Sequence, residues 1–169
     1  MRVGVLSDSH DNIGNVRRAL EIFREEGVQA VIHLGDIVSP PTLRVLASEA
    51  PGRVYAVYGN NCGEKLGLQR VAEKHGAWLA EPPATLELGG RRLLLIHGFG
   101  SQENTREIVH ALAESRRWDA VLYGHTHERE VSYKRGVLIL NPGETAGILA
   151  KPSVAILDLD LLRVQVVEL

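Results

Sequence analysis

Seven side chains that can bind metal ions follow five short apolar runs of the sequence. They are Asp8 and His10 after VGVLS, Asp36 after VIHLG, Asn60 after VYAVYG, His97 at the end of LLLIH, and His125 and His127 after VLYG. Each apolar run predicts a buried strand. In open α/β sheets, ligands bind at the carboxyl ends of strands and in the loops that follow them. We therefore expect these side chains to converge on one site.

The donor types indicate a pair of transition-metal ions. Imidazole, carboxylate and amide oxygen together favour Mn, Fe, Zn, Co or Ni over Ca or Mg. Residues i and i+2 of an extended chain point to the same side, roughly 6 to 7 Å apart. Asp8 and His10 can therefore close on one ion, whereas His125 and His127 can reach two. Ions in two-metal sites lie about 3.5 to 4 Å apart, which is within this span.

Each of these fragments also has a purely structural interpretation. Asp-x-His is common in loops and helix caps, Gly-Asp and Gly-Asn are common turn dipeptides, and His97 could be a satisfied histidine at a strand end. Five such fragments at five strand ends are hard to obtain from turns alone, so their joint occurrence carries the hypothesis. The single cysteine, Cys62, argues against a closed structural zinc site. The glycines beside Asp36, Asn60, His97 and His125 permit close backbone approach around the ions.

The remaining histidines have simpler interpretations. His33 lies inside a predicted strand, as a buried residue or a partner of a ligand, whereas His75 and His110 lie on predicted helices and are interpreted as structural. Asn12 and the helix after it are a candidate phosphate-binding feature, although an ordinary helix cap explains Asn12 equally well. Phe99 is a candidate for lining a substrate cleft.

Short apolar runs alternate with helical patterns, which is typical of βαβ units. Strands are predicted over residues 2–7, 29–34, 54–58 and 120–124, and helices over 15–26, after Pro40-Pro41, up to Gly76 and over 103–117. In the last helix, Ile108, Ala111, Leu112 and Ser115 are expected to face inward. Residues 85–97 predict a hairpin around Gly89-Gly90, and the chain after the GHTH segment predicts further hairpins. The pattern indicates one mixed α/β domain over residues 1–169, with at least one sheet covered by helices.

Composition excludes several function classes. The chain has 169 residues, a net charge of −2 and a sequence pI near 6.4, so it lacks the basic field that gathers nucleic acid or anionic membrane. No run approaches the roughly 20 apolar residues of a membrane span. A lone Cys62 permits no intrachain disulfide and favours a reducing compartment. We expect a cytoplasmic protein.

The polar motifs, taken in order, resemble those of the calcineurin-like metallophosphoesterase superfamily over nearly the whole chain. They are DSH at 8–10, GD at 35–36, GN at 59–60, HG at 97–98 and GHTH at 124–127. The short length and the NPG at 141–143 resemble the small bacterial and archaeal phosphodiesterase branch, to which the retromer subunit of the same fold is also similar. The resemblance implies a four-layer α-β-β-α sandwich of two mixed sheets flanked by helices, with the metals at one edge.

The resemblance also implies the ligand sets and the chemistry. Asp8, His10, Asp36 and His127 would hold one ion, and Asp36 would bridge to a second ion held by Asn60, His97 and His125. The implied cofactors are two divalent transition-metal ions, with manganese first and nickel, iron, zinc or cobalt as alternatives. A hydroxide held between two cations is a strong nucleophile near neutral pH, and the cations stabilise charge at phosphorus. The implied catalytic residues are Asp36, Asn60, His97 and His125.

Asn61 and Cys62 depart from the family pattern, in which many relatives have histidine and aspartate. Asn61 therefore stands where an imidazole would help the leaving group, and it remains a candidate substrate contact. General-acid help typically contributes about 10²–10⁴-fold, so its absence penalises poor leaving groups most. We expect activated or cyclic phosphodiesters to react better than alkyl monoesters. Cys62 is interpreted as filling a small gap.

The leading functional hypothesis is a phosphodiesterase acting on a small or nucleotide-like phosphodiester. The alternatives are a phosphomonoesterase, a scaffold protein that kept the fold and lost the chemistry, and a nuclease. All seven ligand positions are filled, which argues against the scaffold, and the acidic balance argues against the nuclease. The expected partner is a small phosphoester, with no nucleic-acid polymer and no membrane, and a homo-oligomer is left open.

Overall fold

The structure is a computed structural model that describes residues 1–169. The helices are α1 (Ile13–Glu25), α2 (Pro40–Glu49), α3 (Lys65–His75) and α4 (Gln102–Glu114). The strands are β1 (Arg2–Leu6), β2 (Ala30–His33), β3 (Arg53–Val57), β4 (Trp78–Ala80), β5 (Ala84–Leu88), β6 (Arg91–Ile96), β7 (Ala120–Tyr123), β8 (Arg129–Lys134), β9 (Val137–Pro142), β10 (Ser153–Asp158) and β11 (Arg163–Glu168). None of the four helices combines the length and apolarity that a membrane span requires.

The strands form two mixed sheets. The first has the order β11-β10-β1-β2-β3-β4, in which β1 to β4 are parallel and β10 and β11 are antiparallel additions. The second has the order β5-β6-β7-β9-β8, with a parallel centre and antiparallel edge strands. Parallel neighbours require crossover connections, which α1, α2, α3 and α4 supply for four of the five parallel pairs, whereas β8 lies between β7 and β9 in the chain. The alternating strand and helix pattern of the sequence is thereby explained.

Alternation along the strands sorts side chains into layers. Val3 and Val5 of β1 pack with Leu93 and Leu95 of β6 in the core between the two sheets. Leu6 faces the opposite way, into a second cluster with Phe23 of α1. A third cluster lies under α4, and a fourth joins α2 and α3 to the first sheet. The predicted four-layer α-β-β-α sandwich is confirmed.

The observed fold differs from the sequence predictions at one strand and at one helix. The short strand β4 was not predicted, because its three residues are all half-buried and show no alternation. The predicted inward face of α4 is wrong: Ile108 is 39% exposed, whereas Thr105, Val109 and Ala113 are buried. The apolar residues of this helix can be arranged on more than one face at helical spacing. The face that packs against the second sheet is the one with the smaller residues Thr105, Val109 and Ala113.

Backbone hydrogen bonds connect the loops that follow the strands. The N–H of Asp8 donates to Gly35 O at 3.0 Å, and the N–H of His10 donates to Asp36 O at 3.0 Å, so the loops after β1 and β2 hold each other. The N–H of Gly124 donates to His97 O at 3.1 Å and joins the loops after β6 and β7. Because all of these loops follow carboxyl ends of parallel strands, they lie at one edge of the sandwich.

His33, the last residue of β2, is a fully buried link in this edge. Its Nδ1 accepts the N–H of Gly35 at 3.2 Å, which places the proton on Nε2, 2.9 Å from Ser9 Oγ. Burial, reinforced by the nearby His97, lowers the pKa of His33 from 6.5 to about 3, although the charge of Asp36 opposes part of the shift. His33 is therefore a neutral structural residue, as its position in the sequence indicated.

Gly4 of β1 gives the first testable prediction. A Cβ atom at this position would lie 2.6 Å from the ring of the fully buried Phe23, so Gly4→Ala forces the ring away from its packing. We expect a loss of about 1–3 kcal/mol in the free energy of unfolding, measured by urea titration. Gly63→Ala is the matched control, because a Cβ there meets nothing within 4 Å. Equal stability of the two variants would contradict this packing argument.

His33 gives a second prediction, in the pH dependence of stability. Between pH 6.5 and about 3, His33 is protonated in the unfolded chain and neutral in the folded chain. The contribution of neutral His33 is therefore complete above pH 6.5 and is lost as the pH falls toward 3. Urea titrations across this range should show that His33→Gln is less pH-dependent than the parent by up to about 1.4 kcal/mol per pH unit. A slope in His33→Gln equal to that of the parent would contradict this role of His33.

Candidate metal centre

The Asp8 carboxylate lies at the centre of the site and is only half satisfied. Its Oδ2 accepts hydrogen bonds from Ser7 Oγ at 2.5 Å and from the N–H of His125 at 3.0 Å. Its Oδ1 is buried and has no hydrogen-bond partner. Three imidazole nitrogens surround this oxygen: Nε2 of His127 at 3.5 Å, of His10 at 3.9 Å and of His97 at 4.0 Å. Asp8 thus presents one oxygen to a ring of potential ligands.

The second buried carboxylate, Asp36, lies beside the first. Its Oδ2 is 3.4 Å from His97 Nε2 and 3.6 Å from His10 Nε2. Asn61 holds both carboxylate oxygens: its backbone N–H donates to Oδ1 at 2.8 Å and its side-chain amide donates to Oδ2 at 2.7 Å. Asp36 therefore faces His10 on one side of the site and His97 on the other.

Asn60, His97 and His125 form a second group around one oxygen. Asn60 Oδ1 is 2.9 Å from His97 Nε2 and 3.0 Å from His125 Nδ1. These three residues come from the loops after β3, β6 and β7, so both sheets contribute to the group. All seven predicted ligand residues consequently lie together at one edge of the sandwich.

Three of the imidazoles are oriented by an acceptor on their outer nitrogen. His97 Nδ1 is 2.7 Å from Leu34 O, and His125 Nε2 is 2.7 Å from Gly100 O. A carbonyl only accepts, so each outer nitrogen carries a proton, and the inner nitrogen is the one that can bind a metal ion. For His127 the acceptor is a carboxylate, Glu144, whose Oε2 is 2.5 Å from Nδ1.

Glu144 is a site residue that the sequence analysis missed. It is fully buried and directly follows Asn141-Pro142-Gly143, a sequence that suggests a turn, although Asn141 and Pro142 are the last two residues of β9. The available signal was an acidic residue between two apolar strands, β9 and β10, where a charge needs a partner. Nothing in the sequence connects it to His127, because that contact joins the loop after β7 to the segment that runs from β9 to β10.

The site concentrates negative charge that no lysine or arginine balances. Asp8, Asp36 and Glu144 are at most 1% exposed, and every basic side chain within 4 Å of them is a histidine. Buried carboxylates without a cation are strongly unfavourable. The orphaned Asp8 Oδ1 is joined by a second buried atom without a partner, His10 Nε2. Two atoms about 2.1 Å from one ion lie about 3 to 3.5 Å apart, close to the separations measured here, so the residues fit divalent metal ions.

The shifted pKa values agree with a charged site. Burial alone raises the pKa of Asp36, but the neighbouring His97 and the two donors of Asn61 outweigh it and hold the pKa well below its usual range. Burial lowers the pKa of His97, but Asp36 and Asp8 outweigh it and raise that pKa. The pKa of Glu144 is lowered overall. Burial alone would raise it, but hydrogen bonds from the N–H groups of Ala150 and Leu149 and from His127 outweigh the effect of burial. Asp36 and Glu144 are thus ionised, and a metal ion competes with a proton for the imidazole of His97.

The local backbone differs from the extended geometry assumed for the paired ligands, and that assumption is wrong. Asp8 and His10 have φ angles of 51° and 40°, and His125 and His127 have φ angles of 69° and 60°. These residues lie in loops beyond the strand ends, in the left-handed region that non-glycine residues rarely occupy. Their side chains converge because of these turns and not because of strand alternation. Asp36, with φ 55°, shares the feature.

Glycines allow the loops to approach the ligands, as the sequence indicated. A Cβ at Gly59 would lie 2.1 Å from Asp36 Oδ1, and one at Gly124 would lie 2.9 Å from Asp8 Oδ2 and 2.1 Å from Ser7 Oγ. Neither position leaves room for any side chain. The glycine in each of the GN and GH dipeptides is therefore required by space.

The remaining predicted site residues have structural contacts. The Oδ1 of Asn12 accepts the N–H of Asn15 at 3.1 Å and its amide donates to Ala146 O at 2.9 Å, so Asn12 caps α1. Phe99 packs partly buried against the cluster under α4. Cys62 is 4% exposed among apolar side chains and accepts the N–H of Gly59 at 3.3 Å, which agrees with a gap-filling role. Substrate contact by Asn12, Asn61 or Phe99 stays a prediction.

Comparison with known proteins agrees with the geometry. The model of the calcineurin-like phosphoesterase superfamily domain matches residues 1–161. A phosphodiesterase of Methanocaldococcus jannaschii is 34% identical over 160 residues, which cover 94% of this chain and 93% of the relative. The solved structure of an archaeal phosphodiesterase matches with a TM-score of 0.89 and 32% identity, covering 100% of both chains.

A more distant neighbour shares the fold alone. A Vps29 variant of Entamoeba histolytica superimposes with a TM-score of 0.71 at 21% identity, covering 100% of this chain and 99% of Vps29. The resemblance that the polar motifs indicated is thereby confirmed by whole-chain similarity in sequence and in structure. The chain belongs to the calcineurin-like phosphoesterase superfamily.

Proposed function

We propose that this protein is a two-metal phosphodiesterase acting on small or nucleotide-like phosphodiesters. The observation that carries the proposal is the buried, unpartnered Oδ1 of Asp8, ringed by three imidazoles. The similarity to proteins named phosphodiesterases supports the reaction class.

Asp8, His10, Asp36 and His127 would hold one ion, and Asp36, Asn60, His97 and His125 would hold the other. The position of Asp36 Oδ2, 3.6 Å from His10 Nε2 and 3.4 Å from His97 Nε2, supports a shared carboxylate. Imidazole and carboxylate donors suit manganese, and also nickel, iron, zinc or cobalt. Two bound cations would supply an activated water and charge stabilisation at phosphorus.

The chain's own contribution is to hold the donors in place. Leu34 O and Gly100 O hold the outer nitrogens of His97 and His125, so the inner nitrogens are the ones available to a metal ion, and Asn61 fixes both oxygens of Asp36. A protein nucleophile is not supported at Cys62, since the thiol is buried in an apolar cluster. These contacts favour attack by solvent over a covalent intermediate.

The surroundings of Asn61 favour phosphodiesters with good leaving groups. Asn61 directs its backbone N–H and one N–H of its side-chain amide at Asp36, so this amide is engaged in holding a carboxylate. An amide also cannot give up a proton near neutral pH, so this position offers no general acid. The leaving oxygen would depart without protonation from this residue, which penalises alkyl monoesters most. The net charge of −2 favours a small substrate over a nucleic-acid polymer.

Asp36→Asn tests the shared carboxylate. The variant keeps the size of the side chain but removes the charge that both ligand groups face, so hydrolysis of bis-p-nitrophenyl phosphate with added Mn²⁺ or Ni²⁺ should fall to the background rate. The release of p-nitrophenolate is followed by absorbance. Asp160→Asn is the matched control, because that carboxylate is 68% exposed and contacts the N-terminal amine.

The parent enzyme should lose its activity in excess chelator and regain it when Mn²⁺ is restored. Turnover that persists in chelator, or in Asp36→Asn, would refute the two-metal proposal. A protein that captures a stable partner and hydrolyses none of a panel of phosphoesters would instead support the scaffold alternative.

A series of aryl methyl phosphodiesters tests the absence of a general acid. Without protonation of the leaving oxygen, kcat/KM should fall steeply as the pKa of the leaving phenol rises from about 7 to 10, by about 10²-fold or more across the series. Steady-state rates with Mn²⁺ measure this slope. A flat dependence would show that another group protonates the leaving oxygen. The same steep slope is expected in Asp160→Asn.

A further inference from the structure

Glu144 differs from the other groups that orient the imidazoles. It is fully buried, and its Oε2 lies 2.5 Å from His127 Nδ1. His97 and His125 have only neutral backbone carbonyls on their outer nitrogens, from Leu34 and Gly100. Among the seven predicted ligands, His127 is therefore the one whose outer nitrogen meets a buried carboxylate.

The carboxylate itself is held rigidly. Its Oε1 accepts the N–H of Leu149 at 2.6 Å and the N–H of Ala150 at 2.5 Å. No lysine or arginine lies within salt-bridge distance of it, so His127 is its only charged or chargeable partner. A carboxylate fixed from one side by two N–H groups can offer only its other oxygen to the ring, and this determines the orientation of the imidazole.

The orientation of His127 also determines which of its nitrogens faces Asp8 at the centre of the site. With its proton held on Nδ1, His127 directs the lone pair of Nε2 toward Asp8 Oδ1, 3.5 Å away. Hydrogen bonding to a carboxylate also makes the imidazole more electron-rich and a stronger ligand than hydrogen bonding to a carbonyl does. The half of the site formed by Asp8, His10 and His127 thus has a negative charge behind it that the half formed by Asn60, His97 and His125 lacks.

We propose that Glu144 is a positioning residue that fixes the tautomer of His127 and makes the Asp8, His10 and His127 position the tighter of the two metal positions. The inference rests on the proposed metal site. It predicts two unequal binding steps for Mn²⁺, of which only the tighter depends on Glu144.

Glu144→Gln tests this inference by calorimetric titration of the metal-free protein with Mn²⁺. A glutamine that keeps its oxygen on the N–H groups of Leu149 and Ala150 must turn its amide toward His127 Nδ1, and an amide donates where the carboxylate accepted. We expect the tighter step to weaken by about 10–100-fold and the weaker step to stay unchanged. Glu130→Gln is the matched control, because Glu130 also contacts a histidine, His110 at 2.9 Å, outside the site.

A spectroscopic readout keeps the inference independent of metal loading. Nitrogen-15 correlation spectra of the metal-free parent should show His127 as the Nδ1–H tautomer, and Glu144→Gln should lose this preference while Glu130→Gln keeps it. The parent measurement also stands if the buried substitution prevents folding. An Nε2–H tautomer of His127 in the parent would overturn the inference.

The outcomes separate the inference from the proposed function. A parent that binds two Mn²⁺ ions, with an unchanged tighter step in Glu144→Gln, would refute the role of Glu144 and leave the metal site intact. Equal weakening of both steps would also refute it, since that result indicates a general loss of structure. A parent that binds no Mn²⁺ would refute the proposed function, and with it the tighter position.

Discussion

The structure of the site depends on three carboxylates buried at one edge of a sandwich with no lysine or arginine to balance them. Asp8, Asp36 and Glu144 are each at most 1% exposed. Protonation does not resolve the problem at Asp36, because Asn61 places a donor on each oxygen and so stabilises the ionised form. The four imidazoles can carry part of the compensating charge, but each that does so gives up a ligand nitrogen. Divalent cations remove this conflict, since they balance the carboxylates and accept the imidazoles as neutral ligands.

The sandwich supplies the rigidity that such a site needs. Asp8, His10, Asp36, His125 and His127 all adopt positive φ angles, and so does the β-branched Val38 at 77°. Each of these conformations is unfavourable in an isolated loop and persists only where surrounding structure determines it. The backbone hydrogen bonds from Asp8 to Gly35 and from His10 to Asp36 hold the loops in these conformations. The neutral His33, which contacts Ser9 and Gly35, holds them as well. Strain in the loops is thereby offset by regular structure in the strands.

Sequence predicted the members of the site better than their geometry. Asp36 and His97 could be placed because a polar residue directly after an apolar run marks a strand end, and parallel strand ends meet at one edge. The left-handed backbone at Asp8 and His127 could not be predicted, because it results from contacts between loops distant in the chain. Glu144 was missed for the same reason. The four layers followed from the resemblance, whereas β4 and the buried face of α4 depended on packing that a short apolar pattern does not specify.

The amides and the carboxylates of the site differ in their access to solvent. Asp8, Asp36 and Glu144 are at most 1% exposed, whereas Asn60 and Asn61 are exposed. A molecule arriving from solvent therefore meets the amide side of the site before the carboxylate side. Hydrogen bonds from Leu149 and Ala150 to Glu144 keep the inner side closed even though the neighbouring Ile148 and Leu149 side chains face solvent. The charged donors of the site are therefore held by buried contacts, whereas the exposed amides of Asn60 and Asn61 form the part that solvent reaches.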